Sequence, residues 1–262
     1  MAGARTAWIT GASSGIGAAV AEELARRGWR VAITARSAEA LEQVAARHEG
    51  ISALPGDITD REAIAAVAGQ AVALLGHIDV ALLNAGTYRP VLPETFSADL
   101  FRPHVEVNIM GTVNCIEAVL PGMLRRRAGR IAVVASVTGF AALPMAAAYG
   151  ATKAFLISMS DSLRADLDGE RTGVAVTIVA PGFVRTGLTE QNDFEMPFVI
   201  EVGEAARIIA DGLERGDAEI AFPRRMSVAM KVIGRLLPGP LRRRYVAGIA
   251  RRRARDRRRS DG

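Results

Sequence analysis

Tyr149 and Lys153 are the residues of this chain best suited to proton chemistry, and they lie four positions apart near the start of an expected helix. This spacing places both side chains on one helical face, and Ser136 follows the preceding apolar strand. An ammonium held beside a phenol favours the phenolate, since a nearby opposite charge lowers a pKa by about 1–3 units. Lys153 is one of only two lysines in a chain that otherwise uses arginine. The pattern predicts a general acid/base at Tyr149; the alternative is an ordinary surface pair.

A cluster of glycines lies between the first apolar strand and the first expected helix. The segment Thr10–Gly17 has the sequence TGASSGIG. Glycines at such a turn let the backbone approach a pyrophosphate, and the amides and dipole of the following helix attract its negative charge. Glycine spacing alone is equally typical of a structural turn. The segment therefore predicts a dinucleotide site only in combination with Tyr149 and Lys153.

The elements that must position these residues are short apolar strands alternating with helices. Such an alternation predicts a parallel sheet covered on both faces, because each parallel connection needs a helix to return the chain. Strands are expected at Thr6–Thr10, Val31–Thr34, Ile51–Leu54, Ile78–Leu83, Arg130–Ala135, Val174–Ala180 and Ala218–Phe222. Helices are expected at Ala18–Arg27, before His48, after Asp60, and at Asp99–Arg127, Ala148–Asp168 and Gly203–Arg215. The long helix at 99–127 has an expected weak point at Pro121-Gly122. The longest uncharged stretch, 131–152, contains Gly139 and Pro144 and is interpreted as strand, loop and helix start rather than a membrane span.

Composition excludes several classes of protein. Of 262 residues, 50% are apolar and 23% are charged, a balance that is typical of a globular chain and too apolar for a disordered one. A single cysteine, Cys115, excludes an intramolecular disulfide scaffold and a cysteine-based zinc site. The three histidines lie far apart, with no acidic or cysteine ligand at metal-binding spacing, so no metal site is expected. No export signal is visible, and a cytoplasmic location is expected.

Charge divides the chain near residue 223. Residues 1–223 hold 19 Lys+Arg against 26 Asp+Glu, a net charge of −7, whereas residues 224–262 hold 14 against 2, a net charge of +12. From Met226 to Leu237 polar residues recur every fourth position and leave a wide apolar face, and the end of the chain is almost pure arginine. Such a tail either packs its apolar face on the body or a partner subunit, with the arginines as a disordered solubilising end, or contacts an anionic membrane surface. Nucleic acid is the least favoured partner.

These features together resemble the short-chain dehydrogenase/reductase family in its single-domain form. The resemblance covers roughly residues 4–223. It depends on an ordered set of motifs: Thr10–Gly17, Gly56-Asp57, Asn84-Ala85-Gly86, Asn108, Ser136, Tyr149-x-x-x-Lys153, and Pro181-Gly182 with Thr186. Leu83 stands where many relatives have a second Asn. The resemblance implies a single-domain, Rossmann-like, doubly wound α/β fold with a seven-stranded parallel sheet.

The resemblance also implies a role for each matching residue. Tyr149 exchanges the proton, Ser136 hydrogen-bonds the reacting oxygen, and Lys153 holds the ribose and lowers the Tyr149 pKa. Asn108 kinks its helix and positions a water that connects Lys153 to solvent. The implied cofactor-binding set is Gly11, Ser13, Ser14, Gly15, Ile16, Gly17, Arg36, Asp57, Ile58, Asn84, Ala85, Gly86, Tyr149, Lys153, Pro181, Gly182, Val184 and Thr186. For Asp57 the simpler alternative is a turn residue, and for Asn84 a strand-end hydrogen-bonding residue.

The end of the second strand bears on the choice of nicotinamide cofactor. The chain there reads Thr34-Ala35-Arg36-Ser37. Relatives that use NAD place an acidic residue at this point to bind two ribose hydroxyls, and this chain has none. Arg36 offers a planar cation for a 2′-phosphate, and Ser13 or Ser14 adds a hydroxyl. The sequence therefore predicts NADP(H); the alternative is that Arg36 is only a solvated residue at the strand end.

We therefore expect an NADP(H)-dependent oxidoreductase that interconverts a ketone or aldehyde and an alcohol, with an apolar small-molecule substrate. Its catalytic domain is residues 1–223, and residues 224–262 form a basic amphipathic tail that packs or contacts the inner face of the membrane. Homodimers or homotetramers are expected through the helices at 99–127 and 148–168. Phe194, Met196, Phe198 and Val199 suggest an apolar substrate wall, or else core packing. Alternative functions are reduction of a β-ketoacyl thioester and nucleotide sensing without turnover.

Overall fold

A single parallel sheet of seven strands organises the protein, whose computed structural model describes residues 4–190 and 196–260. The strands are β1 (Thr6–Thr10), β2 (Arg30–Thr34), β3 (Ile51–Ala53), β4 (Val80–Leu83), β5 (Gly129–Val134), β6 (Val174–Pro181) and β7 (Glu219–Phe222). Their order across the sheet is β3-β2-β1-β4-β5-β6-β7. The expected Rossmann-like, seven-stranded fold is confirmed, and every strand bound lies within two residues of its expected position.

Helices cover both faces of this sheet. They are α1 (Gly15–Arg26), α2 (Ala38–Ala45), α3 (Arg61–Leu75), α4 (Ala98–His104), α5 (Gly111–Arg126), α6 (Ala147–Gly169), α7 (Gly187–Glu190), α8 (Val202–Arg215), α9 (Arg224–Lys231) and α10 (Gly239–Ser260). Successive residues of β1 enter different cores: Trp8 packs with α3, α5 and α6, whereas Ala7 and Ile9 pack with α1, α2 and α8. Side chains alternate across a strand, so an all-apolar strand supplies both cores.

Strand register brings the ends of the central strands to one edge. Thr10 of β1 is level with Thr34 of β2 and with Leu83 of β4. Because the strand order reverses at β1, the residues that follow these three strands border the crevice where doubly wound folds bind ligands. Val134 of β5 is level with Val179 of β6, so Ser136 and Pro181 reach the same edge. The register therefore collects most of the predicted site residues.

The helical run before β5 is irregular at a place that the hydrophobic pattern does not reveal. A π-helical turn, Val105–Met110, separates α4 from α5 and contains Asn108. The weak point expected at Pro121 and Gly122 is wrong, because both lie inside the continuous α5. Among the described residues, the run 98–126 alone is long and apolar enough to cross a membrane (mean hydropathy 1.3), and 44% of its most apolar stretch is buried in the protein.

The tail packs on the body, but the apolar face that the sequence predicts for residues 226–237 is only partly buried. A π-helical turn, Val232–Leu236, extends α9, and α10 begins just after Pro238. Met226 and Met230 are buried in the core. A Cβ at Gly234 would lie 1.7 Å from the carbonyl oxygen of Phe140, so only glycine permits this approach. The opposite face of α9 and its extension remains in solvent.

Candidate active site

The glycine loop after β1 is held against the end of β4. The Asn84 side-chain amide donates to the carbonyl oxygens of Thr10 and Gly11, at 3.1 and 3.0 Å. A Cβ at Gly11, whose φ is +66°, would lie 2.5 Å from the Cα of Ala85, and a Cβ at Gly17 would lie 2.5 Å from the Gly11 oxygen. The loop therefore needs glycine at both positions. Asn84 acts here as a hydrogen-bonding residue at the end of a strand, which is the alternative that the sequence offered to a cofactor contact.

Ser136, Tyr149 and Lys153 come together at the carboxyl edge of the sheet. Ser136 follows β5, and Tyr149 lies in the first turn of α6, where a side-chain hydrogen bond joins the two hydroxyls. The Thr138 amide and hydroxyl donate to Ser136 Oγ, at 3.2 and 3.0 Å, and fix its position. Lys153 Nζ lies 5.5 Å from the centre of the Tyr149 ring and donates to the Val134 carbonyl at 2.7 Å. The site thus combines the phenol hydroxyl of Tyr149, the hydroxyl of Ser136 and the buried ammonium of Lys153.

Desolvation dominates the electrostatics of this group. It raises the pKa of Tyr149 to about 12, although the hydrogen bond with Ser136 acts in the opposite direction. Burial also lowers the pKa of Lys153 to about 8. The expected lowering of the Tyr149 pKa is therefore not seen in the protein alone, because the Lys153 ammonium is turned to a backbone carbonyl and desolvation outweighs the remaining effects. Tyr149 carries its proton at neutral pH.

Asn108 connects the loop after β4 to α6. Its side-chain oxygen accepts from the Thr87 amide at 2.7 Å, and its amide donates to the Thr87 carbonyl and to Thr152 Oγ1, both at 3.0 Å. Gly86 lies beside it, since a Cβ there would be 3.3 Å from Asn108 Oδ1 and 3.6 Å from Lys153 Nζ. Asn108 therefore fixes the distance between β4 and the helix that carries Tyr149. It does so from the π-helical turn, at the position where the family resemblance implies a kink.

The outer residues of the predicted cofactor set differ in what they contact. Arg36 is exposed just after β2, beside the glycine loop, whose Gly11 amide donates to the Thr34 carbonyl at 2.7 Å. Asp57 accepts from the amide and hydroxyl of Thr59, both at 2.9 Å, as a turn residue does. Ile58 packs its side chain against Gly111 of α5.

Two residues after β6 also belong to the predicted cofactor set. Val184 is buried and pairs with Ile200. The methyl group of Thr186 would be 3.4 Å from a Cβ on Gly15. The loop after β6 therefore reaches the glycine loop, as a shared cofactor site requires.

A cavity of about 80 Å³ opens beside the Tyr149 side chain. It is lined by Tyr88, Ser136, Val137, Thr138, Leu143, Pro144, Ala146, Tyr149, Gly182, Phe183, Leu188, Thr189, Met226 and Arg253. The ring of Tyr88 meets that of Tyr149 edge-on, with centroids 5.2 Å apart. Arg253 donates through Nη1 to the Pro144 carbonyl at 3.1 Å. We name this space the catalytic cavity.

Sequence reasoning missed Tyr88, Met226 and Arg253 in this wall, because nothing in their local sequence marks a cavity residue. The tail, predicted to lie apart from the enzymatic motifs, supplies two of them. The expected wall residues Met196, Phe198 and Val199 are absent from the lining of the described part of the cavity, and Phe198 is exposed. Phe194 lies outside the described residues.

The remaining candidates for chemistry have structural surroundings. His104 is fully buried, with Nε2 accepting from the Arg89 amide at 3.0 Å and Nδ1 lying 2.8 Å from the Leu100 carbonyl oxygen. Both ring nitrogens of His104 therefore contact backbone groups and hold the loop after β4 against α4. Burial raises the pKa of the Cys115 thiol to about 12, which makes it a poor nucleophile. Within the described ranges, no three acidic, histidine or cysteine residues are grouped as metal ligands.

Known proteins are similar to the chain over most of its length. A family model described as short chain dehydrogenase matches residues 5–196. An uncharacterized oxidoreductase of Myxococcus xanthus is 38% identical over 241 residues, which cover 90% of this chain and 94% of the relative. A short-chain dehydrogenase structure from Streptomyces avermitilis is 28% identical, with a TM-score of 0.78, and covers 88% of this chain and 92% of that one. The actinorhodin polyketide ketoreductase with NADPH is 26% identical, with a TM-score of 0.77, over 87% and 99%.

Proposed function

The chain belongs to the short-chain dehydrogenase family and is an oxidoreductase, and from this premise we propose that it reduces a ketone or aldehyde to an alcohol with NADPH and catalyses the reverse reaction with NADP. The observation that carries the proposal is the meeting of Tyr149 and Ser136 in one cavity, above the buried Lys153. A carbonyl oxygen in that cavity would be within reach of both hydroxyls.

The residues present fit a nicotinamide dinucleotide. Gly11 lies too close to the Ala85 backbone, and Gly17 too close to the Gly11 carbonyl oxygen, for either position to carry a side chain. Helix α1 begins at Gly15, within this glycine segment. A helix N-terminus behind a glycine turn suits a pyrophosphate. The bound cofactor supplies the hydride in reduction and accepts it in oxidation. We propose that the residues holding it are the full predicted set from Gly11 to Thr186, with Ile58 acting through its backbone because its side chain packs on α5.

The protein's own part in the reaction is to hold and move one proton. Tyr149, with a pKa of about 12, is protonated at neutral pH and donates from its hydroxyl to the substrate oxygen as that oxygen becomes an alkoxide. Ser136 hydrogen-bonds the same oxygen and keeps Tyr149 oriented. Lys153 supplies a positive charge that stabilises the phenolate left behind. Asn108 fixes the helix position on which these distances depend, and its part in a water path to Lys153 stays a proposal.

NADP(H) rather than NAD(H) is the proposed cofactor. Arg36 is exposed at the end of β2 beside the glycine loop, and Ala35 stands between it and the strand. A guanidinium binds a phosphate through two parallel hydrogen bonds, whereas NAD binding relies on an acidic residue that this strand end lacks.

Two other functions remain as alternatives. A β-ketoacyl thioester reductase would use the same proton relay, and similarity to a polyketide ketoreductase with NADPH supports keeping this substrate class open. A nucleotide sensor without turnover would not need Ser136 and Tyr149 hydrogen-bonded in a cavity. The intact pair is what favours an enzyme.

Replacement of the proton donor tests the proposal directly. Tyr149→Phe removes one oxygen, so cofactor binding should be nearly unchanged while turnover of the best ketone falls by at least about 10²-fold, the low end for a lost general acid. Tyr245→Phe, at an exposed tyrosine of α10, is the matched control and should keep full turnover. The assigned mechanism is wrong if Tyr149→Phe retains most of the wild-type rate.

We also propose that the tail contacts an anionic membrane surface. The outward face of α9 and its extension exposes Val228, Val232 and Leu236 (52%, 40% and 74% exposed), and Arg224, Arg225 and Arg235 are exposed on the same segment. Exposed apolar residues beside cations suit the boundary between lipid headgroups and acyl chains. Packing on a partner subunit is the competing role of this face.

Self-association through α5 and α6 is a separate proposal. Members of the family are commonly oligomeric. Leu124 on α5 and Phe155 on α6 are exposed apolar side chains, as a homodimer or homotetramer interface would require.

A further inference from the structure

The catalytic cavity is too small to hold a whole substrate of ordinary size. Its volume is about 80 Å³, whereas sites for drug-sized ligands measure roughly 300–1,000 Å³. It has room for the reacting carbonyl and a few atoms around it. The rest of any larger substrate must lie elsewhere.

A second space of about 710 Å³ adjoins it beneath α10. We call this space the tail groove. Its lining is mainly small and apolar: Thr138, Gly139, Phe140, Ala141, Ala142, Leu143, Pro144, Ala146, Ala147, Gly150, Ala151, Ala154, Gly234, Arg242, Arg243, Val246, Ala247 and Ala250. Thr138, Leu143, Pro144 and Ala146 also line the catalytic cavity, so the two spaces meet along the segment that leads into α6.

One face of α10 borders both spaces. Arg243, Val246, Ala247 and Ala250 line the groove, and Arg253 lines the catalytic cavity. Their spacing of three or four residues keeps them on one side of the helix. Arg243 and Arg253 are ten residues apart, which is about 15 Å along the axis. Since an extended chain covers about 3.5 Å for every three bonds, roughly a dozen carbon atoms would span this distance.

The far end of the groove is cationic. Arg242 donates through Nη1 to the Gly234 carbonyl at 2.8 Å, which holds its guanidinium at the junction of the two tail helices. Arg243 stands next to it and is exposed. Guanidinium groups bind carboxylate or phosphate with charge-assisted hydrogen bonds. Because the apolar tail groove ends at two arginines, it is complementary to an apolar hydrocarbon chain with an anionic terminus.

We propose that the tail groove binds the apolar chain of the substrate, whose carbonyl reaches Tyr149 at one end and whose anionic group reaches Arg242 and Arg243 at the other. The substrate class is then a long-chain oxo compound with a terminal carboxylate or phosphate. This inference rests on the proposed oxidoreductase function and assigns its substrate class.

Three ketones separate the parts of the proposal: acetone, methyl decyl ketone, and a twelve-carbon oxo acid that has a methyl ketone at the end opposite its carboxylate. Ala154→Phe and Ala250→Phe each fill the groove from one side, and Ala66→Phe, on the exposed face of α3, is the matched control. Both groove variants should raise KM about tenfold for the two long ketones and leave kcat/KM for acetone within about twofold, as expected for a lost apolar contact. The control should behave as wild type.

The charge is tested by changing Arg242→Gln and Arg243→Gln together. KM should rise about tenfold for the oxo acid, the low end for a charge-assisted contact, and stay unchanged for methyl decyl ketone. Replacing the carboxylate by a phosphate monoester distinguishes the two anion sources, because the wild-type enzyme should have a lower KM for the substrate whose anionic group the two arginines bind.

A binding measurement without turnover tests the groove independently of the proposed reaction. Calorimetry with dodecanoate should show binding to Tyr149→Phe as tight as to wild type, and at least about tenfold weaker binding to Ala250→Phe. The inference is overturned if Ala250→Phe binds dodecanoate normally, or if the groove variants alter the sedimentation mass while KM for the long ketones is unchanged, since the groove would then hold a second copy. An inactive wild type that binds dodecanoate in the groove would instead count against the oxidoreductase proposal alone.

Discussion

Burial places Tyr149 and Lys153 in a defined starting state. With pKa values of about 12 and about 8, the phenol is neutral and the ammonium charged at pH 7. A phenol that keeps its proton is ready to act as an acid, which favours carbonyl reduction at neutral pH. Alcohol oxidation needs the phenolate and should gain rate as the pH rises.

Lys153→Met should stabilise the protein at neutral pH while it removes activity. The native pKa of about 8 is below the ordinary 10.5, so the unfolded chain binds more protons between these values and stability rises with pH across that window. Burial of the charged Lys153 therefore destabilises the wild type by about 3 kcal/mol below pH 8. Lys153→Met removes this destabilisation but also loses the hydrogen bond to Val134, which contributes about 1 kcal/mol.

Denaturant unfolding from pH 7 to pH 10.5 measures this difference. Lys153→Met should be about 2 kcal/mol more stable at pH 7, and its advantage should disappear as the pH approaches 10.5. Lys231→Met is the matched control, since Lys231 is the other lysine and pairs with Glu219 near the surface. A stability difference that does not change with pH would contradict a buried ammonium at position 153.

Arg36→Ala should reduce the preference for NADPH over NADH. A charge-assisted contact of about 1.5–3 kcal/mol corresponds to a ten- to hundredfold change in the ratio of the two dissociation constants. Fluorescence titration of each cofactor measures this ratio, and Arg47→Ala, an exposed arginine of the same half of the sheet, should leave it unchanged. Equal wild-type affinities for NADPH and NADH would rule out the preference.

At the scale of strands and helices, the sequence was a good guide wherever the signal is local. Apolar runs and glycine turns predicted all seven strands, because burial on both faces leaves a continuous apolar run in the sequence itself. The family resemblance predicted only a kink at Asn108, where the structure has a π-helical turn, whereas the weak point expected at Pro121 and Gly122 is absent. A proline inside α5 is accommodated by tertiary packing, which a single sequence does not display.

The tail is the element whose packing the sequence could not predict. Apolar residues occur all around α9 and its extension, so either face could pack on the body. Met226 and Met230 do so because Gly234 permits backbone contact with Phe140, a residue about a hundred positions earlier. The same long-range contact brings Arg253 to the catalytic cavity. Neighbours this distant in sequence leave no local signal at either position.

Two truncations separate the parts of the tail. Ending the chain after Leu237 removes α10 and keeps Met226 and Met230 in the core, so the melting temperature should change little while KM for an apolar ketone rises. Ending it after Pro223 also exposes the core, at roughly 2 kcal/mol for each buried methionine, and should lower the melting temperature clearly. Equal melting temperatures for the two truncations, measured by calorimetry, would show that the methionines do not anchor the tail.

At the scale of the whole molecule, charge is separated along the chain, with −7 on residues 1–223 and +12 on residues 224–262. The full-length protein should sediment with vesicles of phosphatidylcholine containing anionic phosphatidylglycerol at low salt. It should leave them in high salt, because screening weakens each surface charge. Vesicles of phosphatidylcholine alone should retain little protein.

The apolar part of this contact has its own matched pair of variants. Val232→Ser with Leu236→Ser should weaken vesicle binding at least about tenfold. Val72→Ser with Leu74→Ser removes comparably exposed residues of α3 (43% and 41% exposed) and should have no effect. Vesicle binding that is absent at low salt, or identical in the two double variants, would eliminate the membrane proposal.

The position of α10 has a thermodynamic consequence. Because the tail borders the catalytic cavity through Arg253 and also carries the proposed membrane-binding face, a ligand at one place would change the affinity at the other if it shifts the position of the tail. Linkage requires the effect to be mutual: whatever factor a lipid surface imposes on the affinity for a cavity ligand, the ligand imposes on the affinity for the surface. Cofactor and substrate would then help to determine how much of the enzyme resides on a membrane, and the membrane would adjust how strongly the enzyme holds its substrate.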